Sequence, residues 1–433
     1  MKRVSLVLAA ALAAAAPALF AADSPAPARV ALKAAGMIDG KSDRAIAPAV
    51  VLIENDKIVA AGSSVAIPAG TRVVDLGGAT LLPGLIDMHD HLTLMPDNLG
   101  YKGLGLSIPR EALDGAANAR RTLEAGFTMI RNVGAGGFSD VALRDAVAAG
   151  ELPGPRMIVS GPALGITGGH CDNNLLPFEF HYRETGVADG PWEARAKVRE
   201  VVKYGADLIK ICASGGVLSK GDQPGTAQYS PEEMKALIEE AHRLGRKVAA
   251  HAHGTQSIKE AIQAGIDSVE HASLIDDEGI RLAKEHGTFL VMDIYNDDYI
   301  LQQGEKVGML PESIEKEKKL GRLQRENFRK AVKAGVKMAF GTDGGVYPHG
   351  DNAKQFAYMV QYGMAPMQAI QAATVSAAEL AGWSDRVGSI EAGKFADVIA
   401  VAGDPLADIR ALEKVGFVMK GGEVVKNTLG AGH

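Results

Sequence analysis

Six times along the middle of this 433-residue chain, a helix-like segment ends in glycine and a short apolar run follows at once. Gly126 leads into residues 127–130, Gly205 into 206–210, Gly245 into 246–250, Gly265 into 266–269, Gly287 into 288–292 and Gly335 into 336–340. Glycine just past a helix can take the left-handed backbone conformation that closes it. Helix–glycine–strand units in series imply parallel strands joined by crossover helices. Apolar runs ending near His89 and Gly161 bring the strand count to eight. The expected fold is therefore α/β, a (β/α)8 TIM barrel over residues 84–387.

The chain ends read differently. Residues 28–83 alternate short apolar runs with turn signals such as Asp39-Gly40 and Pro68-Ala69-Gly70, and residues 388–428 repeat the pattern around Gly421-Gly422. Neither piece alone has enough apolar surface for a core. Together they are expected to form one small β-sandwich domain. Ahead of them, Met1-Lys2-Arg3 and the Ala-rich run to Ala22 read as a signal peptide over residues 1–22, cut near Ala21 or Ala22. The mature protein is then expected in the periplasm or outside the cell, free of the membrane. A net charge of -6 argues against nucleic acid as a partner, because phosphate binding needs a basic surface.

The repeat also places polar residues. Lys210 follows its glycine by five positions, His251 and His271 follow theirs by six, and Asp343 follows by eight. Arg131 and Asn132 hold the matching place in another unit. All fall at strand C-terminal ends, the active-site face of such barrels. In the first strand, His89 and His91 are two apart, so both imidazoles leave one face and converge on one point.

These segments carry a resemblance. The stretches around His89-Asp90-His91, Leu208-Ile209-Lys210, His251-Ala252-His253, Glu270-His271 and Gly341-Thr342-Asp343-Gly344 resemble, in order, the strand signatures of the amidohydrolase superfamily. The chain is most similar to its prolidase-like group of zinc dipeptidases and carboxypeptidases, which includes enzymes that hydrolyse the phenylalanyl amide of ochratoxin A. The resemblance implies two divalent metals, taken as Zn2+, on His89, His91, Lys210, His251, His271 and Asp343. Lys210 would ligate as a CO2-derived carbamate, since an ammonium has no lone pair. Asp343 would also be catalytic, accepting the proton of the attacking water and returning it to the leaving amine.

Strand five offers two histidines. The twenty-residue spacing to His271 matches the family pattern and favours His251, leaving His253 to the substrate pocket. His170, Tyr229 and Arg131 are further candidates for substrate contact, Arg131 for a carboxylate. The expected substrate is a dipeptide or N-acyl amino acid with a free C-terminal carboxylate and a hydrophobic or aromatic last residue. An imidazolonepropionase-like cyclic amide hydrolase or a deaminase is the alternative. A homo-oligomer is expected. For Cys171 and Cys212, a single bridge and free thiols both stand, free thiols with at least equal weight because both lie near the active-site face.

Overall fold

The computed structural model describes residues 28–429. The expected signal peptide, residues 1–22, lies outside them. Among the described residues no helix is long and apolar enough to cross a membrane.

The repeat folds as its glycines suggest. All six have positive φ, between 69° and 102°. The strands Leu85–Asp90, Phe127–Asn132 and Arg156–Val159 form one parallel sheet. Leu208–Cys212, Lys247–Ala252, Ser268–His271 and Phe289–Val291 form a second. Nearly every residue in these strands is buried, as parallel sheets covered by helices on the outside require.

A single closed eight-stranded ladder is not present. The eighth expected strand, 336–340, makes one isolated parallel bridge, Leu290 to Met338, and Asp90 bridges Gly344. At the junction of this segment with the first strand, residues 372–373 intervene. The carbonyls of Ala372 and Ala373 accept from the amides of Phe340 and Ile86, taking donors that a continuous ladder would use.

The chain ends meet in two mixed sheets. One holds Arg29–Ala34, Ala49–Glu54, Lys57–Gly62 and Arg72–Asp75. In the other, Ala79–Pro83 pairs antiparallel with Val398–Ala402, placing Leu81 opposite Ala400. Leu32, Ile53, Leu81, Val398, Phe417 and Met419 form a core cluster separate from that of the parallel sheets.

Cys171 and Cys212 form a disulfide, with Cα atoms 6.0 Å apart. This corrects the weight given to free thiols: the loop after the third strand folds back onto the end of the strand carrying Lys210. A bridge spanning 41 residues restricts the unfolded chain. Reduction, or Cys212→Ser, is expected to lower stability by about 2–4 kcal/mol. Chemical denaturation with and without reductant checks this; coincident curves would count against a stabilising bridge.

Candidate metal centre and active site

The polar strand ends converge on a cavity of about 470 Å³, lined by His89, His91, His170, Lys210, His251, His253, His271 and Asp343 among others. A second cavity of about 650 Å³ lies at the opposite strand ends, near Arg156, Lys247 and Trp383, and holds none of the histidines.

Three donor groups stand within metal-sharing distance: His89, His91 and Asp343; His251, His253 and His271; and His271, Asp293 and Asp343. Within each, one donor atom per residue lies within 4.8 Å of the others. The Nε2 atoms of His89 and His91 are both 3.3 Å from Asp343 Oδ1. Both nitrogens of buried His89 face carboxylates, Nε2 that of Asp343 and Nδ1 that of Glu270.

The outer nitrogens fix the rings. His91 Nδ1 lies 3.2 Å from the Gly134 carbonyl, and His251 Nε2 lies 3.2 Å from that of Gly215. A carbonyl only accepts, so these nitrogens carry the hydrogen and the opposite nitrogens keep a lone pair. His271 Nδ1 is held by Asp293 at 2.9 and 3.0 Å, and His89 Nδ1 lies 3.2 Å from Glu270 Oε2. Such outer acceptors orient metal-binding histidines. His253 differs. Its Nδ1 meets the Ser273 hydroxyl at 2.8 Å, which can donate or accept and sets no tautomer.

Electrostatics favour ligation. Burial, then neighbouring imidazoles, hold His251 and His271 well below the ordinary histidine range, so both are neutral. Burial alone would raise Asp343, but His89 and His91 hold it well below the usual carboxylate range. Burial also brings Lys210 down to about 8. Lys210 is 3 % exposed, and its side chain enters no hydrogen bond or salt bridge among the described residues. Neutral imidazoles and an ionised carboxylate are the forms that bind cations, so His251, His271 and Asp343 fit divalent metals as they stand. Burial and Lys210 lower His89, but Asp343 and Glu270 outweigh them and raise it to about 9, and it gives up that proton when it ligates.

The backbone here is strained. His271 and Asp343 have φ of 67° and 57°, values that L-residues rarely adopt and that cluster at functional sites.

Two expected substrate residues are elsewhere. Arg131 is 3 % exposed and absent from the cavity wall. Its guanidinium donates to Glu270 at 2.7 Å, Ser268 Oγ at 3.0 Å and the Met88 carbonyl at 2.5 Å. It neutralises the carboxylate beside His89 and is not free for a substrate carboxylate. Tyr229 is 1 % exposed in the core, and its hydroxyl has no partner. The capping box between Ser230 and Glu233, which starts the helix Pro231–Arg243, anchors it there. His170 does line the cavity. It stacks on His251 with centroids 3.9 Å apart and is held by Ser219 at 2.8 Å.

Asp293 and Glu270 were missed at the sequence level. The signal for Asp293 was available: it follows Gly287 by six positions, as His251 and His271 follow their glycines. Asn296 and Gln324, both donating to Asp293, carried no such signal.

Convergent imidazoles and a buried aspartate at parallel strand ends form candidate metal sites, and the chain belongs to the amidohydrolase family, a family of hydrolases, whose model matches residues 80–425. It is similar to an ochratoxinase of Aspergillus niger, 37 % identical over 407 residues covering 87 % of this chain and 82 % of that protein. Among solved structures it resembles a Xaa-Pro dipeptidase with methionine bound in its active site, at 38 % identity and TM-score 0.86, covering 92 % of this chain and all (100 %) of that one. A prolidase complexed with N-methylphosphonate-L-proline matches at 31 % identity and TM-score 0.84, covering 92 % and 100 %.

Proposed function

We propose that the protein hydrolyses the amide bond of dipeptides or N-acyl amino acids bearing a free carboxylate, with a hydrophobic or aromatic last residue, phenylalanyl amides of the ochratoxin type included. The observation that carries this reading is the set of imidazoles whose outer nitrogens are engaged and whose inner nitrogens turn to the cavity. The names of the similar enzymes support the substrate class. In this reading the two parallel sheets are arcs of one (β/α)8 barrel over 84–387, with a small β domain from 28–83 and 388–428.

His89, His91, His251, His271, Asp343 and a carbamate on Lys210 would hold two divalent cations, taken as zinc. When bound, these supply a Lewis acid for the scissile carbonyl and lower the pKa of a water. Asp343 takes the proton of the attacking water and delivers it to the departing amine. His170 and His253 line the cavity beside the donor residues. Lys220 takes the place of Arg131 as partner for the carboxylate, being the cavity lysine outside the donor cluster.

Xaa-Phe, Xaa-Pro, Xaa-Arg and N-acyl-Phe substrates, tried on zinc-loaded protein with metal analysis, test the proposal. Turnover of Xaa-Phe and two metals per chain are expected. Cleavage confined to basic last residues overturns the preference, and one metal per chain with turnover of a cyclic amide overturns the reaction. His251→Ala is expected to cost bound metal while His253→Ala keeps both ions. The opposite losses would reverse those two roles.

A further inference from the structure

Between His170 and the helix Pro311–Ala334 runs a chain of hydrogen bonds that metal ligation does not explain. It starts at the ring, where His170 Nδ1 lies 2.8 Å from Ser219 Oγ. The Ser219 hydroxyl in turn stands 2.6 Å from Asp222 Oδ1 and 3.3 Å from the Gly216 carbonyl. Lys316, 8 % exposed, fixes this end. Its ammonium donates to Asp222 Oδ1 at 2.9 Å and to the carbonyls of Ser219 and Gly216 at 2.6 and 3.0 Å. The other Asp222 oxygen accepts from Gln228 Nε2 at 3.2 Å, and Gln228 Oε1 accepts from the His170 amide at 3.0 Å.

The chain has a direction. A hydroxyl has one hydrogen to give, and both groups beyond Ser219, a carboxylate and a carbonyl, only accept. Asp222 is ionised: burial alone would raise it, but Ser219 and Lys316 hold it below the usual carboxylate range. Whichever way the Ser219 hydroxyl turns, its oxygen can only receive from His170. The hydrogen of the neutral imidazole therefore sits on Nδ1, and Nε2 keeps a lone pair. Nε2 has no hydrogen-bond partner among the described residues, and His170 lines the cavity. The loop is shaped to let the ring lie there. A Cβ at Gly216 would come within 2.1 Å of His170 Nδ1, and the ring stacks on His251 with centroids 3.9 Å apart.

We propose that Ser219 and Asp222 are positioning residues that hold His170 as a hydrogen-bond acceptor for a substrate N–H, that of the scissile amide or of a free amine. The proposal rests on the amide-hydrolase reading above. A lone pair repels the oxygens of a carbonyl or carboxylate and suits an N–H, so His170 meets substrate nitrogen.

Histidine nitrogen-15 spectra of the zinc-loaded protein at about pH 8, above the ordinary histidine range, read the tautomer directly. The loss of one signal set in His170→Gln assigns His170. Wild type is expected to carry the hydrogen on Nδ1. Ser219→Ala is expected to move it toward Nε2, and Ser219→Thr, which keeps a hydroxyl, to restore it. A hydrogen on Nε2 in the wild type, or a Ser219→Ala spectrum like that of the wild type, overturns the relay. At unchanged metal content and melting, Ser219→Ala is expected to lower kcat/KM for Gly-Phe about three- to tenfold, the worth of one hydrogen bond. Two further substrates divide the sources. A loss shared by Nα-acetyl-Phe but not by Gly-Pro, whose scissile nitrogen has no hydrogen, assigns the scissile N–H. A loss shared by Gly-Pro but not by Nα-acetyl-Phe assigns the free amine. Equal losses on all three, or none, overturn the acceptor role. If no substrate turns over, the amide-hydrolase reading fails, while the spectra still decide the relay.

Discussion

Asp343→Asn is expected to leave a folded protein whose kcat on a dipeptide falls about 10³-fold, within the range for losing a positioned general acid–base. Asparagine keeps an oxygen facing His89 and His91, while its NH2 replaces the Oδ2 that accepts from Asn296 Nδ2 at 3.3 Å, so only that weak contact is lost. It cannot hold and return a proton. Metal analysis on the same sample separates the two roles of this side chain. Retained metal with lost turnover assigns the loss to proton transfer. Loss of metal in step with activity assigns it to coordination. Retained metal with wild-type kcat would remove Asp343 from the chemistry.

Arg131→Leu is expected to destabilise the protein by about 3–5 kcal/mol, the usual consequence of removing one partner of a buried ion pair. Burial alone would raise the Glu270 carboxyl; the Arg131 guanidinium and then His89 hold it well below its ordinary range. Without Arg131 that carboxylate, 0 % exposed, loses its guanidinium and is left with His89 and the Ser268 hydroxyl. Adding Glu270→Gln is expected to recover part of the loss, because the orphaned charge goes with it. Denaturant midpoints at constant slope measure both effects. A carboxylate clamp would behave otherwise: KM would rise and stability would stay, and that result would falsify the structural role.

Much of this architecture was legible because glycine and period recur together. A positive-φ glycine before each strand announced the parallel units, and counting forward from it located Lys210, His251, His271 and Asp343 on one face. The same count reaches Asp293. What periodicity cannot see is which way a side chain leaves a buried strand relative to its neighbours. Arg131 and Lys210 occupy equivalent positions by count. Arg131 turns to Glu270 and Ser268, two residues whose closeness depends on the packing of strands far apart in sequence. Tyr229 was misread for a related reason: a loop residue next to a helix cap has no period at all. The Cys171–Cys212 bridge needed a distance, and distances between a loop and a strand 41 residues on are not written in composition.

The pairing of Ala79–Pro83 with Val398–Ala402 sets a schedule for synthesis. A ribosome delivers the first of these strands more than 300 residues before its partner. Through that interval Leu81 and Leu82 lack the strand that covers them, while the helix–glycine–strand units between can each close on near neighbours as they emerge. The later strand thus seals the earlier one, and a chain cut short before Val398 would present an open sheet edge, the kind of surface that recruits other chains.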